Sequence, residues 1–161
     1  MKPKKILLVA GEVSGDLHGA HLVEAIRRIH PKTQFFGVGG EQLQRQGMKL
    51  LYHAHHLSVV GITEVFLKLR SILTAYAGLK KAIAQERPDL VILIDFPDFN
   101  FRLLPVMHKL RIPIVYYISP QLWAWRAGRL RTLKKYVSKM LVIFPFEKAL
   151  YEGAGVPVEF V

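Results

Sequence analysis

A short run of purely apolar residues near the start of the chain, Ile6 to Ala10, ends in glycine. Five apolar residues without polar alternation are typical of a strand that is buried on both faces, as in a parallel sheet covered by helices. Apolar residues then recur at helical spacing between Leu17 and Ile29, where His30-Pro31 ends the helix. This order of strand and helix predicts the beginning of a doubly wound α/β domain.

The same rhythm continues along the rest of the chain. Further strands are predicted at 35–38, 90–94, 114–118 and 140–144, with a last one beginning at Val158, and helices at about 41–47, 62–86, 101–110, 127–138 and 145–152. We therefore predict an α/β fold with a doubly wound, mostly parallel Rossmann-like sheet and helices on both faces. Because the chain stops where its last strand begins, we expect it to be truncated.

Composition supports one packed domain and limits its chemistry. The chain has 161 residues, of which 51% are hydrophobic and 22% charged, and this excludes intrinsic disorder. It has no cysteine, which excludes a disulfide framework, a thiolate zinc site and a cysteine nucleophile. The first apolar run is too short for a signal peptide, and none approaches the ~20 residues of a membrane span. We expect a cytoplasmic protein whose contact with a membrane is peripheral.

Positive charge is concentrated in one internal segment. The net charge is +11, and nine basic residues but no acidic residue lie between Asp98 and Glu147. Such a segment predicts an anionic partner, which leaves a phosphorylated ligand, an acidic membrane surface and nucleic acid open. The basic residues alternate with apolar strands and form no recognised nucleic-acid motif, so nucleic acid is the less favoured of these partners.

Ligands of open α/β sheets bind beyond the carboxyl ends of the strands, so the loops at those ends supply the candidate site residues. In the first loop, residues 11–16, backbone N–H groups at a helix start are suited to an anion or a sugar hydroxyl. A tight turn in which Ser14 or Asp16 caps the helix is the alternative. The glycines at 11, 15 and 19 do not have the dinucleotide-binding spacing, which argues against a nicotinamide dehydrogenase.

The second loop, residues 95–100, follows the apolar strand 90–94. A carboxylate at the end of a buried strand loses solvation, so its pKa rises towards the range of a general base, and Asp95 has that position. Asp98 lies near a helix start, where a capping role is the simpler explanation.

The third and fourth loops are aromatic. Residues 119–126 contain Trp123, Trp125 and Arg126, which suit either a sugar face and a phosphate or simple core filling. Residues 144–147, Phe-Pro-Phe-Glu, are interpreted as an apolar plug with a glutamate at a helix start.

Two further features have ordinary explanations. His53, His55 and His56 have no carboxylate or cysteine near them in sequence, so surface or core histidines are favoured over a metal site. The apolar stripe of the helix from residue 62 has core spacing. Leu67 and Ile72 widen this stripe and Lys68 and Arg70 flank it, which leaves a membrane-surface helix as the alternative.

Five motifs in order resemble one known family. They are Gly-Glu-Val-Ser-Gly-Asp at 11–16, Gly-Val-Gly-Gly at 37–40, Ile-Asp-Phe-Pro-Asp-Phe-Asn at 94–100, Ser-Pro-Gln-Leu-Trp-Ala-Trp-Arg at 119–126 and Phe-Pro-Phe-Glu at 144–147. Together with Val-Gly-Ile-Thr-Glu-Val at 60–65, they resemble the amino-terminal half of the bacterial lipid-A-disaccharide synthases.

The resemblance implies the amino-terminal, acceptor-side domain of a GT-B glycosyltransferase, spanning residues 1–161. The implied reaction joins UDP-2,3-diacylglucosamine to 2,3-diacylglucosamine 1-phosphate with inversion, giving the lipid A disaccharide and UDP, without a metal or other cofactor. It is expected at the inner face of the inner membrane. The sugar-nucleotide domain is expected to be absent, so the chain alone is expected to be inactive.

The resemblance also assigns roles to residues. It makes Asp95 the candidate base and Glu12 a second carboxylate of the cleft. The candidates for substrate binding are Gly11, Ser14, Gly15, Asp98, Asn100, Ser119, Trp125 and Arg126, and those for membrane contact are Val65, Phe66, Leu67, Leu69, Ile72 and Leu73. Another UDP-sugar enzyme of the same fold, such as a UDP-N-acetylglucosamine 2-epimerase-like protein, is the alternative.

Overall fold

Strands and helices alternate along the chain in the computed structural model, which describes residues 3–57, 65–119 and 127–161. The strands are β1 Lys5–Ala10, β2 Gln34–Gly39, β3 Lys49–His53, β4 Leu90–Ile94, β5 Ile114–Tyr117, β6 Lys139–Val142 and β7 Val158–Phe160. The helices are α1 Val13–Ile29, α2 Glu41–Arg45, α3 Val65–Glu86, α4 Pro97–Lys109, α5 Ala127–Tyr136 and α6 Pro145–Gly153, with a 3-10 turn at Ala54–His56.

The seven strands form one sheet in the order β3-β2-β1-β4-β5-β6-β7, and every pair of neighbours is parallel. Strand β1 lies in the interior of the sheet, where Leu8 is in register with Gly37 of β2 on one side and Ile92 of β4 on the other. The order reverses between β1 and β4, which is the topological switch point of a doubly wound fold. The predicted α/β, Rossmann-like class is confirmed.

Two hydrophobic clusters lie on opposite faces of this sheet. Leu7 and Val9 of β1 belong to the cluster that packs under α3, α4 and α5, whereas Leu8 belongs to the cluster under α1 and α2. Successive side chains of a strand point to opposite faces, and both faces here are covered by helices. The central strands are therefore apolar throughout, as the opening run of the sequence predicts.

Several predicted boundaries were wrong. The prediction missed β3, because this edge strand has a short apolar stretch, Leu50-Leu51-Tyr52, and none of its residues is fully buried. Helix α1 begins at Val13 and not at Leu17. Helix α4 begins at Pro97, four residues before the predicted start, because proline is well suited to the first position of a helix.

Candidate functional site

All the strands run in the same direction, so their carboxyl ends meet at one edge of the sheet. The loop after β1 bears Glu12, the loop after β4 bears Asp95, and the end of β5 leads to Ser119. The structure therefore brings the first two predicted loops, together with Ser119 and the start of α6 after β6, to the edge where ligands bind in this fold.

The backbone at Asp95 has an unusual conformation. Asp95 and Phe96 are both left-handed, with φ of 41° and 48°, in a chain segment without glycine. Each such residue costs about 1–2 kcal/mol, so neighbouring contacts must hold the turn. The hydroxyl of Tyr116 and the side-chain amide of Asn100 both donate hydrogen bonds of 2.7 Å to the Asp95 carbonyl oxygen. Two buried polar side chains thus fix the Asp95 backbone.

The Asp95 carboxyl is half-buried at this turn. Burial raises its pKa above the ordinary value, and the neighbouring negative charge of Glu12 raises the pKa further. The backbone N–H of Phe96 acts in the opposite direction but is the smallest of the three influences. A carboxylate with a raised pKa accepts a proton more readily, which suits the predicted general base.

Gly11 and Phe96 interlock the first two loops. A Cβ atom on Gly11 would lie 2.3 Å from Cδ1 of the Phe96 ring, so only glycine fits there without displacing the ring. The ring also stacks on Phe99, with their centroids 5.3 Å apart. The position of the loop that bears Asp95 therefore depends on the absence of a side chain in the loop that bears Glu12.

The predicted binding residues of the second loop contact other parts of the protein. Asn100 is fully buried, and its side-chain amide binds the Asp95 backbone. Asp98 is exposed and pairs with Arg129 of α5. The Arg129 guanidinium also lies over the Phe101 ring, 4.9 Å from its centroid. Arg129 therefore connects α5 to the beginning of α4.

The first loop differs from the capping arrangement proposed as its alternative. The N-cap of α1 is Glu12, whose side chain makes no capping hydrogen bond; Ser14 is exposed and Gly15 is buried against Ile94. Asp16 does not cap its own helix. Its carboxylate accepts hydrogen bonds from the N–H groups at the start of α2, namely those of Gly40 at 2.7 Å, Gln42 at 2.9 Å and Leu43 at 3.1 Å.

A cleft of about 680 Å³ opens at this edge between α1, α2 and the end of β3. Glu12 and Val13 line one side, and His53, His55 and His56 line the other. The histidines are half-buried or exposed, as expected of surface histidines. Across residues 3–57, 65–119 and 127–161, no group of three or more histidines or carboxylates is arranged to hold a metal ion. The sequence analysis did not predict that these histidines lie across the cleft from Glu12, because they follow β3, the strand that was missed.

The interpretation of the fourth loop as an apolar plug was wrong. Phe144 and Phe146 are 49% and 55% exposed, and their rings stack on each other, whereas Glu147 is only 2% exposed. Ser119, predicted to bind substrate, is buried and hydrogen-bonds the hydroxyl of Tyr151. The other two candidates of that loop, Trp125 and Arg126, lie outside the described residues.

The predicted membrane-contact residues are described in part. The side chains of Val65, Phe66, Leu67 and Leu69 lie outside what the structure describes. Ile72 is partly buried against the core, and Leu73 is 50% exposed. Within the described part of the chain, none of the helices combines the length and the apolar character that crossing a membrane requires.

Comparison with known proteins identifies relatives over almost the whole chain. The family model described as Lipid-A-disaccharide synthetase matches residues 6–161. A lipid-A-disaccharide synthase of Syntrophus aciditrophicus is 54% identical over 161 residues, which are 100% of this chain and 42% of the relative. One of Myxococcus xanthus is 50% identical over 159 residues, which are 99% of this chain and 42% of the relative. The chain thus spans less than half the length of these curated relatives.

Solved structures share the fold at low identity. A UDP-GlcNAc 2-epimerase from Neisseria meningitidis, bound to UDP-GlcNAc, superimposes with a TM-score of 0.65 at 15% identity, over 97% of this chain and 45% of that one. MurG from Acinetobacter baumannii gives 0.59 at 13% identity, over 89% of this chain and 42% of that one. At such identities these structures support the architecture alone.

Proposed function

Because the chain belongs to the lipid-A-disaccharide synthase family, we propose that it is the acceptor-side domain of a glycosyltransferase of lipid A synthesis. Its substrates are UDP-2,3-diacylglucosamine as donor and 2,3-diacylglucosamine 1-phosphate as acceptor. The acceptor lies at the carboxyl edge of the sheet, near Asp95 and Glu12. The remainder of the full-length protein contributes the site for the UDP part of the donor; a structural relative is bound to a UDP-sugar.

Asp95 is the general base of this reaction, and its strained, half-buried position is the observation that carries the assignment. The acceptor hydroxyl oxygen attacks the anomeric carbon of the donor while its proton passes to the Asp95 carboxylate. The bond between the anomeric carbon and the UDP oxygen breaks, UDP leaves, and the anomeric configuration is inverted. Burial and the charge of Glu12 make Asp95 basic enough to take the proton.

The membrane is the second proposed partner. Both substrates carry acyl chains, and the acceptor carries a phosphate, so the enzyme works at the anionic inner face of the inner membrane. Exposed basic residues on α4 and α5 suit such a surface; they are Arg102, Lys109, Arg131, Lys134 and Lys135. The exposed Leu73 on α3 supports contact of that helix with lipid.

The test is the rate of disaccharide formation by the full-length protein with Asp95→Asn. General-base catalysis contributes about 10²–10⁴-fold, so the rate constant is expected to fall by that factor. Asp89→Asn is the matched control, because Asp89 lies at the opposite end of the same strand, where it pairs with Lys4. The control is expected to retain wild-type turnover.

Two results would contradict the proposal. Near wild-type turnover of Asp95→Asn would remove Asp95 as the base. Activity of the full-length protein on a water-soluble UDP-sugar without acyl chains, combined with no transfer to the acylated acceptor, would favour an epimerase-like enzyme instead. A nucleic-acid-binding role would require a mobility shift at low salt with a steep salt dependence, which we do not expect.

A further inference from the structure

A buried polar cluster lies beside the end of β5. Glu147 is 2% exposed, Ser119 is 7% exposed and Tyr151 is fully buried. The hydroxyl of Ser119 hydrogen-bonds both the Tyr151 hydroxyl and the Glu147 carboxyl. The second carboxyl oxygen of Glu147, Oε2, has no hydrogen-bond partner among the described residues.

Burial of the Glu147 carboxyl in this cluster destabilises the folded protein. Burial raises the pKa of Glu147, and the hydrogen bonds from Ser119 and from the backbone of Phe144 only partly oppose that shift. A buried polar atom without a partner costs about 1–3 kcal/mol, so a core that needed only to be filled would be more stable with an apolar residue here. The presence of a glutamate at a position where an apolar residue would be more stable indicates that Glu147 has a role beyond packing.

The turn next to the cluster is strained. Ile118 is left-handed, with φ of 61°, and a β-branched residue rarely adopts this conformation. Its N–H donates to the Leu141 carbonyl oxygen at 3.0 Å, and the next residue is Ser119. The hydrogen bonds of Ser119 thus help to keep the chain in this turn as it leaves β5.

The cluster is also coupled to Asp95. Tyr151 lies close enough to Tyr116 to affect its ionisation, and the Tyr116 hydroxyl donates to the Asp95 carbonyl oxygen at 2.7 Å. Tyr116 and Ile118 belong to the same strand end, two residues apart. A displacement of the turn at Ile118 is therefore transmitted over a short distance to the residue that holds Asp95.

We propose that Glu147 is a positioning residue, which acts through Ser119 to hold the strained turn at Ile118 and thereby to keep Tyr116 in contact with Asp95. The Glu147 carboxyl acts as a hydrogen-bonding partner, and its negative charge is not required. The inference rests on the proposed function only for its effect on turnover, since the local effect on the chain after Ser119 is measurable without substrate.

The first experiment measures tryptophan fluorescence of the full-length protein. Trp123 and Trp125 follow Ser119 within six residues, so their emission, taken as the difference from a variant with phenylalanine at both positions, reports on the chain that leaves this turn. Glu147→Ala is expected to shift the emission maximum and to increase quenching by acrylamide, whereas Glu147→Gln leaves both unchanged. Glu152→Ala is the control, because Glu152 is an exposed acid of the same helix that pairs with Lys148.

The second experiment measures steady-state kinetics of the full-length protein. Glu147→Ala is expected to lower kcat by up to about 10²-fold with little change in the KM for the acceptor, because only the placement of the base changes. Glu147→Gln is expected to restore kcat. If Glu147→Ala does not fold, as judged by circular dichroism, Ser119→Ala replaces it, since that variant removes the same hydrogen bond and keeps the acid.

The outcomes separate the two proposals. Unchanged emission and unchanged kcat in the folded Glu147→Ala variant would overturn the positioning role. Equal losses in Glu147→Ala and Glu147→Gln would show that the charge itself is needed and would also overturn it. Absence of any transfer by the wild-type full-length protein would refute the proposed function, while the fluorescence result would still decide whether Glu147 holds the turn.

Discussion

The hydroxyl of Tyr116 donates a 2.7 Å hydrogen bond to the backbone carbonyl oxygen of Asp95, across neighbouring strands of the sheet. Tyr116 is fully buried, and burial raises the pKa of its phenol far above the ordinary value, so the hydroxyl keeps its proton and remains a donor at every physiological pH. The carboxylate proposed as the base is therefore held through its own main chain, which leaves its side-chain oxygens available to substrate.

Tyr116→Phe is predicted to lower turnover without loss of the fold. The ring still fills the core, but the Asp95 carbonyl loses one of its two side-chain donors and the left-handed turn loses support. Loss of such a hydrogen bond costs about 1 kcal/mol in stability, so the melting temperature is expected to fall modestly. Steady-state kinetics are expected to show a lower kcat, with KM for the acceptor near that of the wild type. A change confined to KM would show that Tyr116 does not act through Asp95.

The acid limb of the pH–rate profile should depend on Glu12. The proposed base is active as the carboxylate, so kcat/KM is expected to rise with pH as Asp95 loses its proton. The negative charge of Glu12 raises the pKa of Asp95, so Glu12→Gln is predicted to move this limb to lower pH, whatever its effect on the maximum rate. The control is Glu41→Gln, which removes a carboxylate lining the same cleft but pairing with Arg45. An equal displacement in both variants would rule out a specific effect of Glu12.

Asp95→Asn is predicted to stabilise the fold while it lowers turnover. The pKa of Asp95 is raised in the folded state, so the folded protein binds its proton more tightly than the unfolded protein, and stability falls as pH rises through that pKa. Asparagine has no carboxyl proton to lose and so avoids this loss of stability. The melting temperature should therefore increase at pH 7 to 8. The gain should disappear in acid below the ordinary aspartate pKa, where Asp95 is neutral in both states. Thermal denaturation at several pH values measures this, and a gain independent of pH would contradict the electrostatic explanation.

Gly11→Ala is predicted to be strongly destabilising. The added methyl group would overlap the Phe96 ring, and overpacking of this kind costs about 1–3 kcal/mol. Adding Phe96→Ala should recover part of the loss in a double-mutant cycle measured by chemical denaturation. Gly128→Ala in α5 is the contrasting change, because nothing lies within 4 Å of its Cβ position and alanine favours a helix. Additive effects of Gly11→Ala and Phe96→Ala would show that the two residues do not interlock.

Membrane attachment through α3 gives a prediction independent of catalysis. Combined replacement of Phe66, Leu67 and Leu73 by glutamate should reduce co-flotation of the full-length protein with anionic vesicles, since it places charge on the proposed lipid-facing surface. Ala84→Glu, on an exposed position three turns beyond Leu73, is expected to float as the wild type does. Flotation that is unaffected by the triple replacement would count against this surface.

The sequence predicted the elements whose signal is local. Strand β4 was predicted at its observed bounds, because its five residues are apolar and its flanks are polar. Asp95 was identified for the same reason, since a carboxylate directly after such a strand is conspicuous. What could not be predicted depends on contacts between distant residues. The carboxylate of Asp16 binds N–H groups 24 to 27 positions away, and no local pattern contains that information.

The burial of Glu147 is a second feature that could not be predicted from the local sequence. A glutamate that follows two phenylalanines at a helix start is expected to face solvent, and the phenylalanines are expected to face the core. The structure has the opposite arrangement, because Ser119, which is itself hydrogen-bonded to Tyr151, provides a hydrogen bond for the acid inside the domain. A polar residue in the core is predictable only when its partners are known, and here one of the partners belongs to a different strand end.

The attachment of α2 to Asp16 has a thermodynamic consequence for whatever enters the cleft beside it. Three hydrogen bonds fix the loop after β2 to α1, so this wall of the cleft is already ordered before a ligand arrives. Ordering a loop at the moment of binding consumes free energy that would otherwise appear as affinity. A ligand that binds here therefore meets a preorganised surface, and the entropy of that surface was lost when the protein folded.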